Sequence, residues 1–264
     1  MKKQIILSAI ALTLFFSNCS KEESKTTTST ADNSLKVEQK NTSLINKFTG
    51  TNCYYCGDWG WTLMEDLIKN HASDAIVVGT YSQNSFAKLF VSKIATDWDK
   101  NIPVTQGYPT FSANLVDSWL LPVADAVDNN IEEGVTKHNQ AAVVANTAHT
   151  SKIEGTNMVV NTTTQFFAEA NGEYQIGVYV IENGVIGNQS GPNGGANASH
   201  HNVIRAGNGS WGEALATGVV AKDTKISKTT TIALDPSWKT ADLSVFTVIW
   251  KKNGTKWAFV NAHK

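Results

Sequence analysis

The spacing of the apolar residues changes near residue 139, and this change limits the folds open to the chain. Before that point, segments with strand and helix character alternate. Residues 75–81 read AIVVGTY, which is typical of a buried strand, whereas residues 61–72 place apolar side chains at helical spacing. Such alternation favours a sheet with helices packed on it. We therefore predict an α/β domain over residues 42–138.

The second half of the chain has strand character throughout. Residues 157–184 and 243–263 alternate in polarity and are rich in Val, Thr and aromatic residues. Asn171-Gly172 and Asn253-Gly254 are hairpin signals. We predict an all-β sandwich domain of about seven strands over residues 139–264. A chain of 264 residues with 41% hydrophobic side chains is long enough for both domains.

The N-terminal residues predict export. Residues 1–18 hold two lysines, an apolar stretch and a short polar pair, which is the layout of a signal peptide. The apolar stretch is shorter than the roughly 20 residues that a helix needs to cross a bilayer. Cys19 follows directly and resembles the lipidated cysteine of bacterial lipoproteins. Residues 19–41 are polar and lack apolar periodicity, so we expect a lipidated, disordered tether.

Cys53 and Cys56 form a CxxC motif between a predicted strand and a predicted helix. A zinc site is disfavoured because a second CxxC and suitably spaced histidines are absent from the sequence, so we predict no metal site. A structural disulfide over so short a loop contributes only about 2 kcal/mol. Thiol–disulfide chemistry is the third possibility. Cys53 at a helix N-terminus would be the nucleophile, and Cys56, one turn into the helix, would be the resolving thiol.

The CxxC motif and the later GYPT stretch together resemble the thioredoxin fold. The resemblance implies that Pro109 has a cis peptide bond and faces the cysteines. FTGTNCYYCG, GYPT and HHNVIRAGNGSWGE, with the lipoprotein signal and the SKEES segment after it, further resemble the Omp28-related group of surface lipoproteins of Bacteroidetes. The sequence of this motif differs from that of thioredoxins: Tyr54 and Tyr55 lie between the two cysteines. In addition, Lys47 is the only charge in residues 44–48, where a carboxylate is expected beneath the resolving cysteine.

A glycine-rich segment between residues 183 and 212 is predicted to be a long loop. Its conspicuous side chains are His200, His201, Arg205 and Trp211, which are candidates for ligand binding. The structural alternative is that Trp211 anchors the loop on the sandwich while the histidines remain solvated.

Two functions are compatible with these features. The first is a binding or adhesion lipoprotein whose CxxC forms a disulfide, anchored by lipid in the outer membrane and displayed at the cell surface. The second is an envelope thiol–disulfide oxidoreductase. The surface-display signal favours the first, because no membrane-coupled reductant would recycle a catalytic pair outside the outer membrane. The partner would be a protein or a protein-disulfide substrate, and no cofactor is predicted. A net charge of −1 without a basic patch argues against nucleic acid.

Overall fold

The computed structural model describes residues 35–82, 89–102, 107–115 and 124–264, except for the side chains of residues 124–126. The predicted signal peptide, Cys19 and the first part of the predicted tether lie outside the described residues. In the described part of the chain, no helix is long and apolar enough to cross a membrane.

Helices and strands alternate in the first half of the chain, as the sequence predicts. The elements are β1 (Ser43–Thr49), α1 (Trp59–Asn70), β2 (Ala75–Tyr81), α2 (Lys93–Asn101), β3 (Thr110–Ala113) and α3 (Ala124–Asn139). Helix α2 begins after Ser92, because the Ser92 side chain accepts a hydrogen bond from the Ala95 amide at 3.1 Å and caps the helix there.

The second half of the described chain contains strands and one short 3₁₀ turn. The strands are β4 (Ala145–Glu154), β5 (Asn157–Phe166), β6 (Ala170–Glu182), β7 (Val185–Gln189), β8 (Gly195–His200), β9 (Val203–Gly207), β10 (Glu213–Val220), β11 (Lys225–Ala233), β12 (Leu243–Asn253) and β13 (Lys256–His263). The segment between residues 183 and 212 is therefore not the unstructured loop that its glycine content suggests, because β7, β8 and β9 form within it.

One mixed sheet joins both halves of the chain. Its strand order is β13-β12-β6-β9-β2-β1-β3, and β10 pairs with β6. The predicted boundary at residues 138 and 139 does not interrupt this sheet, because β2 pairs with β9 in parallel at Gly79 and Val203. The protein is thus mostly β, with few helices, and its two halves share hydrogen-bonded strands.

A second sheet, in the order β11-β5-β4, packs on part of the mixed sheet. The apolar side chains between them include Val160 and Phe166 from β5 and Ile176 and Ile249 from β6 and β12. All four are fully buried. Two sheets therefore pack face to face in the second half, but this half contains ten strands where about seven were predicted, and one of its sheets continues into the first half.

Buried aromatic side chains attach helix α2 to the mixed sheet. The ring of Trp98 on α2 lies 5.0 Å from that of Tyr179 on β6 and 5.7 Å from that of Trp250 on β12. Their polar atoms are paired: the Trp250 indole N–H donates to the Tyr179 hydroxyl at 2.7 Å, and this hydroxyl donates to the Ser210 carbonyl at 2.9 Å. Burial also raises the pKa of Tyr179, so its hydroxyl remains a donor at any physiological pH.

The segment just before β1 is held against the folded chain. The Asn41 side-chain amide donates to the carbonyls of His138 and Ala141, both at 2.9 Å. The Glu38 carbonyl accepts from the Asn146 side chain at 2.9 Å, and Val37 is buried. Residues 37–41 therefore belong to the packed structure, although their composition resembles that of the tether.

We expect Trp98→Ala to destabilise the protein by about 3–5 kcal/mol, because it removes a fully buried indole and leaves a cavity between α2 and the sheet. Urea unfolding, monitored by circular dichroism, measures this free energy. Val219→Ala is the matched control, because Val219 is 69% exposed. Equal losses in the two variants would contradict the assigned role of the aromatic cluster.

Candidate functional site

Cys53 and Cys56 form a disulfide in the turn between β1 and α1. Residues Tyr55–Gly57 form a 3₁₀ turn, and α1 begins only at Trp59. The prediction that Cys56 lies one turn into the helix is therefore wrong: both cysteines precede α1, because Asp58 has φ −109° and ψ −120°, which are not helical angles. The Cys56 amide nevertheless donates to Cys53 Sγ at 3.2 Å. This hydrogen bond would stabilise a thiolate on Cys53.

The stretch that contains Pro109 lies directly against the disulfide. The peptide bond between Tyr108 and Pro109 is cis, as the resemblance implied. Cys53 Sγ lies 3.1 Å from the Tyr108 carbonyl oxygen. On the other side, an added Cβ at Gly60 of α1 would meet the Pro109 ring at 2.5 Å, so helix and proline are in close contact. The structure thus brings Cys53, Cys56 and Pro109 together.

A buried lysine lies beneath residues 50–58, the segment between β1 and α1 that holds both cysteines and is called the cysteine turn below. Lys47 on β1 is only 5% exposed, and its Nζ donates to the Cys56 carbonyl at 3.0 Å. The ammonium also lies 5.6 Å from the centre of the Trp61 ring. Burial lowers the pKa of Lys47 to about 7, although the carboxylate of Glu65 opposes this shift. Its buried position therefore makes loss of the proton easier for this lysine than for an exposed one.

A small cavity beside Lys47 is lined in part by His200. Its walls include Lys47, Thr49, Trp61 and Tyr81, and it has room for about one water molecule. His200 is 1% exposed, and its Nδ1 lies 2.6 Å from the Tyr81 hydroxyl. Burial, followed by the charge of Lys47, lowers the pKa of His200 to about 4. The expectation that both histidines of this segment are solvated is thus wrong for His200, because the β7–β8 hairpin folds it inward.

The β7–β8 hairpin also packs on the cysteine turn. The Gln189 side-chain amide donates to the Cys53 carbonyl at 3.0 Å, and the Ser190 amide donates to the Thr51 carbonyl at 2.8 Å. The Asn193 amide donates to the Gly57 carbonyl at 2.8 Å. These contacts were not predicted from the sequence; the cluster of glycines was their one available signal, because close backbone approach requires residues without Cβ.

The other candidates from the glycine-rich segment do not converge on one site. Arg205 Nε lies 3.1 Å from Glu182 Oε2, and both side chains are largely buried. Trp211 packs against Trp250, with ring centres 5.0 Å apart. His201, which is more exposed, lies 3.3 Å from Glu65. Arg205 and Trp211 therefore have structural partners in the described residues, whereas His201, like His200, lines the Lys47 cavity.

The prediction of a lipid on Cys19 falls outside the described residues. Within the ranges that the structure covers, no group of three or more His, Cys, Asp or Glu side chains is arranged to hold a metal ion.

We expect Gly191→Ala to loosen the hairpin from the cysteine turn. Gly191 has φ +109°, and an added Cβ would clash with the Tyr54 carbonyl and with Gly57. The disulfide of this variant should be reduced faster by dithiothreitol, as measured by quenched alkylation and mass spectrometry. Gly195→Ala is the matched control, because Gly195 lies in the same hairpin at φ +133° and no atom would contact its Cβ within 4 Å. Equal reduction rates in the two variants would contradict the covering role of the hairpin.

We expect the free energy of unfolding to fall as the pH decreases from about 6.5 to about 4. Burial lowers the pKa values of His138, His149 and His200 to about 4. The unfolded chain therefore binds more protons in this interval. The contribution of the neutral histidines to stability is fully present above their pKa in the unfolded chain, 6.5, and is lost as the pH falls through their pKa in the folded protein, about 4. Each histidine accounts for on the order of 3 kcal/mol. Urea midpoints at several pH values measure the slope, which His200→Gln should reduce; stability independent of pH over this interval would contradict the assignment.

Comparison with known proteins gives a similarity of fold. No protein-family model matches the chain, and no curated protein matches it in sequence. The structure is similar to that of HBP35 of Porphyromonas gingivalis, with 16% identity, a TM-score of 0.69, and coverage of 86% of this chain and 76% of that chain. A domain of the outer membrane lipoprotein Omp28 from Porphyromonas gingivalis aligns with 15% identity over 47% of this chain and 87% of that chain, at a TM-score of 0.32. The chain therefore shares the fold of HBP35.

Proposed function

We propose that this protein is an exported lipoprotein that exchanges disulfides with protein thiols through Cys53 and Cys56. The observation that carries the proposal is the position of the disulfide: it lies at the turn before α1, with Cys53 Sγ 3.1 Å from the carbonyl that precedes Pro109. The disulfide and this backbone edge are therefore adjacent, so a peptide that pairs with the edge would lie beside Cys53.

The proposed step transfers two electrons from a protein dithiol to the Cys53–Cys56 bond. A substrate thiolate attacks Cys53 Sγ, a mixed disulfide forms, and Cys56 leaves as a thiolate. The second thiolate of the substrate then attacks the substrate sulfur that is bonded to Cys53, and the Cys53 thiolate is released. The substrate is oxidised to a disulfide, and the CxxC becomes a dithiol after it takes up two protons.

The strand arrangement around the turn supports a thioredoxin-like assignment for the first half of the chain. Strand β1, which leads into the cysteine turn, pairs with β2 in parallel and with β3 in antiparallel orientation. Strand β3 begins directly after Pro109, at Thr110. A strand before the CxxC and a strand after the proline are therefore neighbours, which the thioredoxin resemblance implies.

The proposed location is the outer membrane, with the protein held by a lipid on Cys19. The support is the signal-peptide layout of residues 1–18 and the resemblance of the chain to Omp28-related lipoproteins. A lipid on Cys19 would leave Cys53 and Cys56 as the remaining cysteines of the chain.

A binding module is the second candidate, and the cover over the disulfide favours it. Cys53 is only 6% exposed, whereas the neighbouring Tyr54 and Tyr55 are 57% and 59% exposed. Two exposed aromatic rings are well suited to contact a partner protein. In this case the disulfide would hold the turn that presents the two rings.

Turnover assays separate the two candidates. We expect the oxidised protein to oxidise a reduced dithiol peptide in a glutathione buffer and Cys53→Ser to abolish this activity, because the attacked sulfur is then missing. When reduced Cys56→Ser is instead given a disulfide peptide, its Cys53 thiolate should attack the peptide disulfide and accumulate a mixed disulfide that mass spectrometry detects, because the resolving thiol is absent.

The opposite result would favour the binding module. No exchange with dithiol or disulfide peptides, together with a pair that thiol trapping finds permanently oxidised in cells, would contradict the redox proposal. For the binding module, replacement of both cysteines by serine should lower the free energy of unfolding by only about 2 kcal/mol.

A further inference from the structure

The alternation of side chains along β1 places Lys47 on the face that α1 covers. Ile45, two residues earlier, packs in the apolar cluster with Leu63 and Leu67 of α1. Residues two apart in a strand point to the same face, so Lys47 continues this row toward the N-terminal end of α1, where the cysteine turn lies. Its Nζ reaches the Cys56 carbonyl at 3.0 Å.

Within the ranges that the structure describes, no carboxylate forms an ion pair with the ammonium of Lys47. Its Nζ donates to the neutral Cys56 carbonyl, and the ammonium also lies against the Trp61 ring. The carboxylate of Glu65 acts on Lys47 only at longer range; it accepts hydrogen bonds from Trp61 Nε1 at 3.0 Å and lies 3.3 Å from His201 Nε2. A buried ammonium in such surroundings is stabilised by any anion formed beside it.

We propose that Lys47 is a positioning residue for Cys56. The ammonium of Lys47 stabilises the thiolate that Cys56 becomes when its bond to Cys53 is cleaved. The inference rests on the proposed exchange function. As the substrate thiolate bonds to Cys53 Sγ, the electron pair of the Cys53–Cys56 bond passes to Cys56 Sγ. Lys47 supplies the positive charge on that side of the turn. Where thioredoxins have a buried carboxylate, this chain therefore has a group of opposite charge.

The surroundings of Lys47 connect this role to pH. Tyr81 from β2, His200 at the end of β8, the following His201 and Glu65 from α1 are the titratable groups that line or face the cavity. With the disulfide intact, burial lowers the pKa of Lys47 to about 7, and His200 is neutral at that pH because its pKa is about 4. A thiolate on Cys56 would raise the pKa of Lys47, so reduction would be accompanied by proton uptake near neutral pH.

Titration of the cysteines tests the inference without requiring turnover. The protein is reduced with a phosphine, and thiolate formation is followed by absorbance at 240 nm in the wild type, Lys47→Met and Lys69→Met. We expect thiolate formation in Lys47→Met to require a proton concentration about tenfold lower than in the wild type. Lys69 is exposed in the last turn of α1, away from the cysteines, so Lys69→Met removes a charge without touching the site and should titrate like the wild type. Coincident titrations of all three proteins would overturn the inference.

A second measurement uses the wild type alone and does not depend on the folding of the variant. The ε-methylene resonances of Lys47 are titrated by NMR in the oxidised and reduced protein. We expect the pKa of Lys47 to be higher in the reduced form, and an unchanged pKa would overturn the inference. Absence of exchange activity would count against the proposed function but would leave both titrations interpretable, so the two failures are distinguishable.

Discussion

The pairing of β2 with β9 is the constraint on which the arrangement of the site depends. The Gly79 amide donates to the Asn202 carbonyl at 2.9 Å, and an added Cβ at Gly79 would meet the His201 carbonyl at 3.1 Å. This junction joins the strands of the first half to those of the second in one sheet. It also brings the β7–β8 hairpin, which immediately precedes β9, over the cysteine turn.

The cysteine turn consequently has two different sides. On the outside, Tyr54 and Tyr55 are exposed, and the backbone near Pro109 borders Cys53. On the inside, Lys47 is buried with a small cavity beside it. Charge on the inner side is costly unless it is paired, so the state of the disulfide and the state of the lysine are expected to influence each other.

Much of the fold could be predicted from local patterns, because each pattern reflects a single element. The apolar run at residues 75–81 is β2, and Asn253-Gly254 does connect two antiparallel strands. The hairpin predicted at Asn171-Gly172 is wrong, because both residues lie within β6 and pair with β10. The secondary structure of the glycine-rich segment, residues 183–212, could not be predicted in this way. Its composition indicates a loop, yet β7 and β8 form there because Gln189 and Ser190 find hydrogen-bond partners in the cysteine turn, more than 130 residues earlier in the chain.

The sequence by itself determined the elements and the chemical groups: the strand and helix periods, the CxxC motif, the proline at position 109 and Lys47 as the only charged residue of residues 44–48. These features are readable because they depend on neighbours within a few residues. Only the tertiary structure decided that the two halves share a sheet and that His200 is buried. It also decided that Lys47 lies against Cys56, because such contacts depend on which distant segments pack together, and short-range spacing does not encode that choice.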